Sequence, residues 1–179
     1  MENIELVKKA VNGNEQAFER LVRNESEKLY RIAFLYVRNK EDALDVIQES
    51  IYKAFISIKQ LKEPKFFQTW LTKILIRSCY DLLKKKKKVI SMDDEIVNDL
   101  AGESSGDVDV KMDLVYAVSS LNQNYKTAII LFYFRDLPIA SIAETMGKSE
   151  NTIKTYLRRA KLELKGLLEG GATYEQGSF

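Results

Sequence analysis

Histidine is absent from this chain, cysteine occurs once and proline twice. Without an imidazole there is no Ser-His-Asp or Cys-His nucleophile, no histidine general base and no HExxH zinc site. The lone Cys79 cannot close an intramolecular disulfide, which separates the chain from secreted disulfide scaffolds and predicts a reducing, cytoplasmic setting. No apolar run approaches the roughly 20 residues needed to span a bilayer, and the acidic, polar start Met1-Glu2-Asn3-Ile4-Glu5 does not read as a signal peptide. With proline only at Pro64 and Pro138 and glycine sparse, breakers are few and helix is favoured over an all-β reading.

Two apparent motifs fall away. Gly102-Glu103-Ser104-Ser105-Gly106 matches G-x-S-x-G, but no strand precedes it and no histidine completes a triad. Gly147-Lys148-Ser149 resembles the end of a P-loop, yet Ile142 stands where its first glycine belongs. No Ser-Lys or carboxylate pair sits beside other site-like residues. Neither enzymatic activity, a metal, a cofactor nor a small-molecule substrate is therefore expected.

What the chain does have is charge, unevenly placed. Over its 179 residues the net charge is only +2. Residues 1–88 hold 19 lysines and arginines against 12 acids, or +7; residues 89–113 hold one lysine against eight acids, or −7; residues 114–179 hold eight basic groups against six acidic ones, or +2. This pattern predicts two folded parts and a linker. The linker, residues 89–110, buries too little apolar surface to offset chain entropy and is expected to be flexible; residues 170–179, opening on Gly170-Gly171, are expected to form a disordered tail.

Both folded parts carry helical periodicity. A helix from Ile4 to Val11 stops at Asn12-Gly13, and Asn14 can cap the next, which presents Ala17, Phe18, Leu21 and Val22, then Leu29, Ile32, Ala33, Tyr36 and Val37. A third helix, Lys40 to Ile58, should turn Ala43, Leu44, Ile47, Ile51, Ala54, Phe55 and Ile58 inward. After Pro64, a fourth should bury Phe67, Trp70, Leu71, Ile74, Leu75, Cys79, Leu82 and Leu83. The expected fold is all-α: a four-helix domain over residues 1–88 and a second helical domain over residues 111–169.

The most specific signal lies in the second domain. Pro138 to Met146 reads as a short helix with proline in its first turn; Gly147 suits a left-handed corner, and Ser149 can cap the helix that follows. That helix carries Ile153, Leu157, Ala160, Leu164 and Leu167 on one face. Asn151, Lys154, Thr155 and Arg158 recur on the opposite face, with Arg159 beside them. Such a pair is a helix-turn-helix, whose second helix sets its N-terminal side chains against base edges in the major groove. The plain alternative is a helical hairpin with a solvated polar face.

At this point the chain resembles the extracytoplasmic-function (ECF) sigma factors of bacterial RNA polymerase over about residues 4–168. Ile142-Ala143-Glu144-Thr145-Met146-Gly147, Asn151-Thr152-Ile153-Lys154-Thr155 and Arg159-Ala160 look like region 4. Asp42-Ala43-Leu44-Asp45-Val46-Ile47-Gln48-Glu49 looks like region 2.2, and Trp70-Leu71-Thr72-Lys73-Ile74 with Asp81-Leu82-Leu83 looks like regions 2.3 and 2.4. Asn12-Gly13-Asn14 with Ala17-Phe18 is similar to the family's opening helices. Lys73-Ile74-Leu75-Ile76-Arg77 and Met92-Asp93-Asp94-Glu95 are most similar to its SigV branch.

The resemblance implies a factor that directs core polymerase to promoters by −35 recognition and −10 melting. Asn151, Lys154, Thr155, Arg158 and Arg159 would read the −35 element. Lys62, Lys65, Phe66, Lys73, Arg77, Lys84 and Lys85 would meet the −10 element, where a base is flipped out and captured. Asp45, Gln48 and Glu49 would dock on the β′ clamp helices, and the β subunit would complete the contact with core. Promoter DNA and a membrane-anchored anti-sigma factor are the other implied partners; the latter would hold the chain at the inner face of the membrane. The acidic linker would thread the polymerase's basic channel.

Plainer readings stand beside these. Asp45, Gln48 and Glu49 also suit a solvated helix face, Phe66 is open between core and base contact, and Lys84 to Lys88 suit solvent as well as phosphate. Trp70 and Cys79 are assigned to the core. The family usually has asparagine at position 77, so Arg77 puts its base-reading role in doubt. Pro138 replaces the usual Ser or Thr cap. A different class altogether is a helix-turn-helix regulator whose N-terminal bundle senses a ligand or dimerises; a helical adaptor would leave Lys154, Thr155 and Arg158 without a task.

Overall fold

The computed structural model describes residues 2–90 and 110–174, and the elements in them are helical throughout. The expected acidic linker lies largely outside the described residues. The chain divides into two compact units, Met1–Glu103 and Ser104–Phe179.

The first unit holds α1 (Glu2–Val11), α2 (Glu15–Val37), α3 (Lys40–Ser57) and α4 (Phe67–Ile90), with short 3₁₀ turns at Ile58–Gln60 and Pro64–Phe66. Its corners are written locally. Gly13 takes φ +93°, a left-handed value that costs glycine nothing, and the Asn14 side chain accepts a hydrogen bond from the Ala17 N–H at 2.8 Å. Arg38 closes α2 in the left-handed region, donating its N–H to the Phe34 carbonyl. Asn39 then caps α3 by accepting from the Asp42 N–H at 3.0 Å. Each such cap stabilises its helix by about 1 kcal/mol.

Leu21, Leu29, Ile32, Val46, Leu71, Leu75 and Cys79 are buried together with Phe67, and full burial of one large apolar side chain contributes about 1.5–3 kcal/mol. Glu25, also buried, accepts a hydrogen bond from the Gln68 amide at 2.7 Å. Tyr36 packs edge-on against Tyr80 at 5.3 Å. The Glu25–Gln68 and Tyr36–Tyr80 pairs advance in the same direction, so α2 and α4 run parallel. Contacts from Lys53 to Ser78 and from Asp42 to Lys86 advance in opposite directions, so α3 and α4 run antiparallel.

Three expected core positions are corrected. Leu44 and Phe55 are each 43% exposed; α3 instead buries Ala43, Val46, Ser50 and Ala54. Packed against both α2 and α4, it turns its smallest side chains to the seam, where backbones approach closely, and leaves bulkier ones at the rim. Ser50 fits there because its hydroxyl donates to the Val46 carbonyl at 2.6 Å. On α4, Leu83 is 36% exposed. α2 stops at Val37, beside the Tyr36–Tyr80 contact, so α4 beyond Asp81 has lost its α2 cover.

The second unit comprises α5 (Val110–Ser120), α6 (Gln123–Ile129), a π turn at Ile130–Phe134, α7 (Ile139–Met146) and α8 (Glu150–Tyr174). Asn122 caps α6 by accepting from the Tyr125 N–H at 3.1 Å. The core gathers Leu121, Ala128, Ile129, Ile130, Leu131, Ile142, Ile153, Leu157 and Ala160, with α8 packed across α5, α6 and α7. Pro138 is the N-cap in extended conformation rather than a residue of the first turn. Leu167, expected inward, is exposed, as is Leu168 beside it, because this end of α8 borders an open groove against α5 instead of a closed core. α8 also continues through Gly170 and Gly171 to Tyr174, past the point where a disordered tail was expected to begin; propagation adds a hydrogen bond per residue against a glycine cost of about 1 kcal/mol. Residues 175–179 lie outside the described residues.

Candidate nucleic-acid interface

The corner between α7 and α8 is a Schellman motif. Gly147 adopts φ +62°, ψ +40°; its N–H donates to the Glu144 carbonyl at 3.3 Å, and the Lys148 N–H donates to the Ala143 carbonyl at 2.9 Å. Ser149 then accepts from the Thr152 N–H at 3.2 Å, which starts α8 with Glu150 in its first turn, next to the positive end of the helix dipole. Ile153, Leu157 and Ala160 anchor one face of α8 in the core. Asn151, Lys154, Arg158 and Arg159 are exposed on the other, and Thr155 is half-buried. The Thr155 hydroxyl donates to the Asn151 carbonyl at 2.9 Å. The unit therefore presents a cationic and amide-bearing stripe on a rigid helix, with donors of the kind that pair with guanine, adenine and phosphate.

In the first unit, Lys62, Lys65 and Phe66 are exposed around the turn that leads into α4. Phe66 is 45% exposed, which takes it out of the core, and the Lys65 ammonium stands 4.9 Å from its ring centroid. Trp70 is half-buried, 6.0 Å from Phe67 between ring centroids. Lys73 and Arg77 are exposed one turn apart, and Lys84 and Lys87 continue the same helical face. Lys85 and Lys86, although also exposed, point elsewhere. Lys86 is ion-paired with Asp42 of α3, and Lys85 lies about 100° round the helix from Lys84.

Asp45, Gln48 and Glu49 are exposed on α3. Glu49 is paired with Lys53 at 2.8 Å; the same ammonium donates to the Ser78 hydroxyl at 3.1 Å and lies 3.8 Å from Asp81. The Lys53 hydrogen bond holds the Glu49 carboxyl below its ordinary value of 4.5; burial opposes it, and the charges of Lys53 and Lys85 add smaller help. Because the folded value is lowered, the stability this pair contributes is complete above the ordinary value and is lost as pH falls through the lowered one. Lys53→Met should return the Glu49 titration toward 4.5, measured by carboxyl NMR; an unmoved titration would remove Lys53 as the cause.

Two apolar surfaces escaped sequence reasoning. Leu44, Tyr52, Phe55 and Ile56 lie exposed along α3. A groove of about 720 Å³ in the second unit is lined by Leu114, Val118, Ile129, Tyr133, Leu164 and Leu168 among others. The small-residue spacing of Ala43, Ser50 and Ala54 was a signal for the first. For the second, the unbroken apolar run through Ile129-Ile130-Leu131-Phe132-Tyr133-Phe134 hides any period. Among the described residues no cluster of three metal-ligating side chains occurs.

The chain is similar to known proteins over both units. A family described as Sigma-70 region 2 matches residues 21–89, and one described as Sigma-70, region 4 matches residues 111–164. RNA polymerase sigma factor SigV of Bacillus subtilis (strain 168) is 42% identical over 139 residues, covering 78% of this chain and 83% of that protein. ECF RNA polymerase sigma factor SigM of the same organism is 28% identical over 151 residues, covering 82% and 92%. Two solved structures share the fold: CnrH, in complex with the cytosolic domain of CnrY, at TM-score 0.72 and 20% identity over 94% of this chain and 97% of that one; and RpoE of Bartonella quintana, in complex with the anti-sigma factor NepR, at TM-score 0.72 and 22% identity over 85% and 96%. With a region 2 fold, a region 4 helix-turn-helix and a SigV relative covering most of its length, the chain belongs to the ECF sigma factors, the subunits that direct RNA polymerase to promoters.

Proposed function

We propose that promoter recognition is divided between the two units. The α8 stripe of Asn151, Lys154, Thr155, Arg158 and Arg159 reads the −35 element in the major groove. The turn bearing Lys62, Lys65 and Phe66, with Lys73, Arg77 and Lys84 on α4, receives the melted −10 strand: Phe66 supplies a stacking surface, and the cations follow the phosphates. Base–aromatic stacking is worth about 1–3 kcal/mol per base, enough to offset much of the cost of extruding one. Arg77 is read as a phosphate contact. Asp45, Gln48 and Glu49 form the polar centre of the surface that docks on the β′ clamp helices, rimmed by exposed Leu44 and Tyr52. The β subunit completes the contact with core.

The observation that carries this reading is the Schellman corner and cap that turn Lys154 and Arg158 outward while Ile153 and Leu157 are buried. The working domains are residues 1–88 and 111–169, joined by 89–110. The factor acts in the cytoplasm as a DNA-recognition subunit rather than an enzyme; among the described residues no helix is long and apolar enough to cross a membrane. An anti-sigma factor, itself membrane-anchored, masks it, a partnership supported by the anti-sigma complex in which RpoE of Bartonella quintana was solved.

Run-off transcription with purified core polymerase, followed by start-site mapping, tests the whole. New start sites sharing two spaced elements are expected. Combined Asp45→Ala, Gln48→Ala and Glu49→Ala should abolish co-purification with core while preserving the helical spectrum. A chain indifferent to core polymerase would end the proposal and return the helix-turn-helix regulator to first place.

A further inference from the structure

The five consecutive lysines at the end of α4 do not form one surface. Successive helical residues turn by about 100°, so Lys84 and Lys87 fall on the face of Lys73 and Arg77, whereas Lys86 points to the opposite side. There it meets the carboxylate of Asp42, 44 residues earlier in the chain. The Asp42 side chain is only 18% exposed and that of Lys86 49%. Asp42 sits in the first turn of α3, its own N–H held by the Asn39 cap, where the helix dipole favours a negative charge. The location matters because α2 ends at Val37. Beyond Asp81, α4 has α3 alongside it and no longer α2, Leu83 is exposed, and Lys84, Lys85 and Lys87 are exposed too. A stretch of like charges in that situation repels itself and frays.

We propose that Lys86 is a positioning residue: its ion pair with Asp42 clamps the last turns of α4 to α3, and thereby aims Lys84 and Lys87 at the DNA. The lysine run is thus functionally split. Lys84 and Lys87 contact phosphate, and Lys86 holds the helix, while Lys85 lies about 100° round the helix from Lys84 and off the DNA-facing side. The proposal deepens the −10 surface assigned above and rests on that reading.

The sign of one substitution separates this from the simpler idea that Lys86 is itself a phosphate contact. A lysine released from an internal carboxylate and free to reach DNA would bind more tightly, so Asp42→Asn would strengthen binding. A clamp predicts the reverse. The measurement uses the full chain with core polymerase and a fluorescent promoter fragment taken from the start-site mapping, pre-melted at −10, over a series of salt concentrations.

Asp42→Asn and Lys86→Met should each weaken binding about two- to fivefold, the range expected for one partly exposed ion pair. The double variant should be no worse than either alone, because both remove the same contact. Lys86→Arg should retain wild-type affinity. Amide exchange at residues 84–87 should quicken in both single variants while that of the α2–α4 core is unchanged. Lys84→Met should lower the salt slope by about 0.7–0.9, as loss of one phosphate contact does.

Tighter binding by Asp42→Asn, additive losses in the double variant, or no change in either single variant would each overturn the clamp, even with Lys84→Met behaving as expected. An unchanged slope in Lys84→Met would instead overturn the DNA-facing assignment of α4, and the clamp's purpose with it.

Discussion

Arg158→Ala should weaken binding to a −35 duplex by about 1–3 kcal/mol, roughly a factor of five to 150, with a similar loss for Lys154→Ala. Both side chains are exposed on α8, where the buried Ile153 and Leu157 hold the helix in place. Truncating an exposed side chain changes stability by no more than about 0.5 kcal/mol, so the unfolding midpoint should stay where it was. Fluorescence anisotropy against a panel of duplexes carries the decisive contrast. A loss concentrated on the cognate sequence assigns a base contact; an equal loss on every sequence assigns a phosphate contact. Undiminished affinity in both variants would mean that this face of α8 does not meet DNA.

Ile153→Ala should produce the larger effect on the fold. Ile153 is fully buried at the start of α8, where α7 packs against it, and removing such a side chain from a close-packed core costs about 2–5 kcal/mol through lost transfer energy and the cavity left behind. A small helical unit has little stability in reserve. Denaturant unfolding followed by circular dichroism should show a clear fall in midpoint, and −35 binding should fall with it, recovering at low temperature as the folded population is restored. The two variants thus separate the presentation of the reading helix from the reading itself. An unchanged midpoint would show that Ile153 is not the packing anchor described.

The neighbouring corner obeys shorter-range rules. Gly147 ends α7 in the left-handed region, Ser149 starts α8, and Asn14, Asn39 and Asn122 each accept a hydrogen bond from a backbone N–H three residues on. Of these, Gly147, Ser149 and Asn14 were legible in the chain itself, because a cap is a contract among residues within one turn. The same holds for the helix-turn-helix spacing that brings Asn151, Lys154 and Arg158 onto one face. α5 and α6 were not legible as separate helices. Their apolar residues are nearly continuous, so no face stands out, and the π turn at Ile130–Phe134 breaks what period remains.

Charge and periodicity in the sequence alone thus determined that this protein is all-α, that a basic and a mildly basic part flank an acidic stretch, and where the caps at Asn14, Gly147 and Ser149 fall. Each of those properties depends on neighbours within one helical turn or on composition summed over a segment. Which side of α3 is buried, why Leu83 is bare, and that Lys86 turns back to Asp42 while Lys84 does not were decided only by tertiary structure. They depend on where a neighbouring helix stops and how closely it approaches, and those distances are set by residues some 40 positions away, beyond the reach of any local pattern.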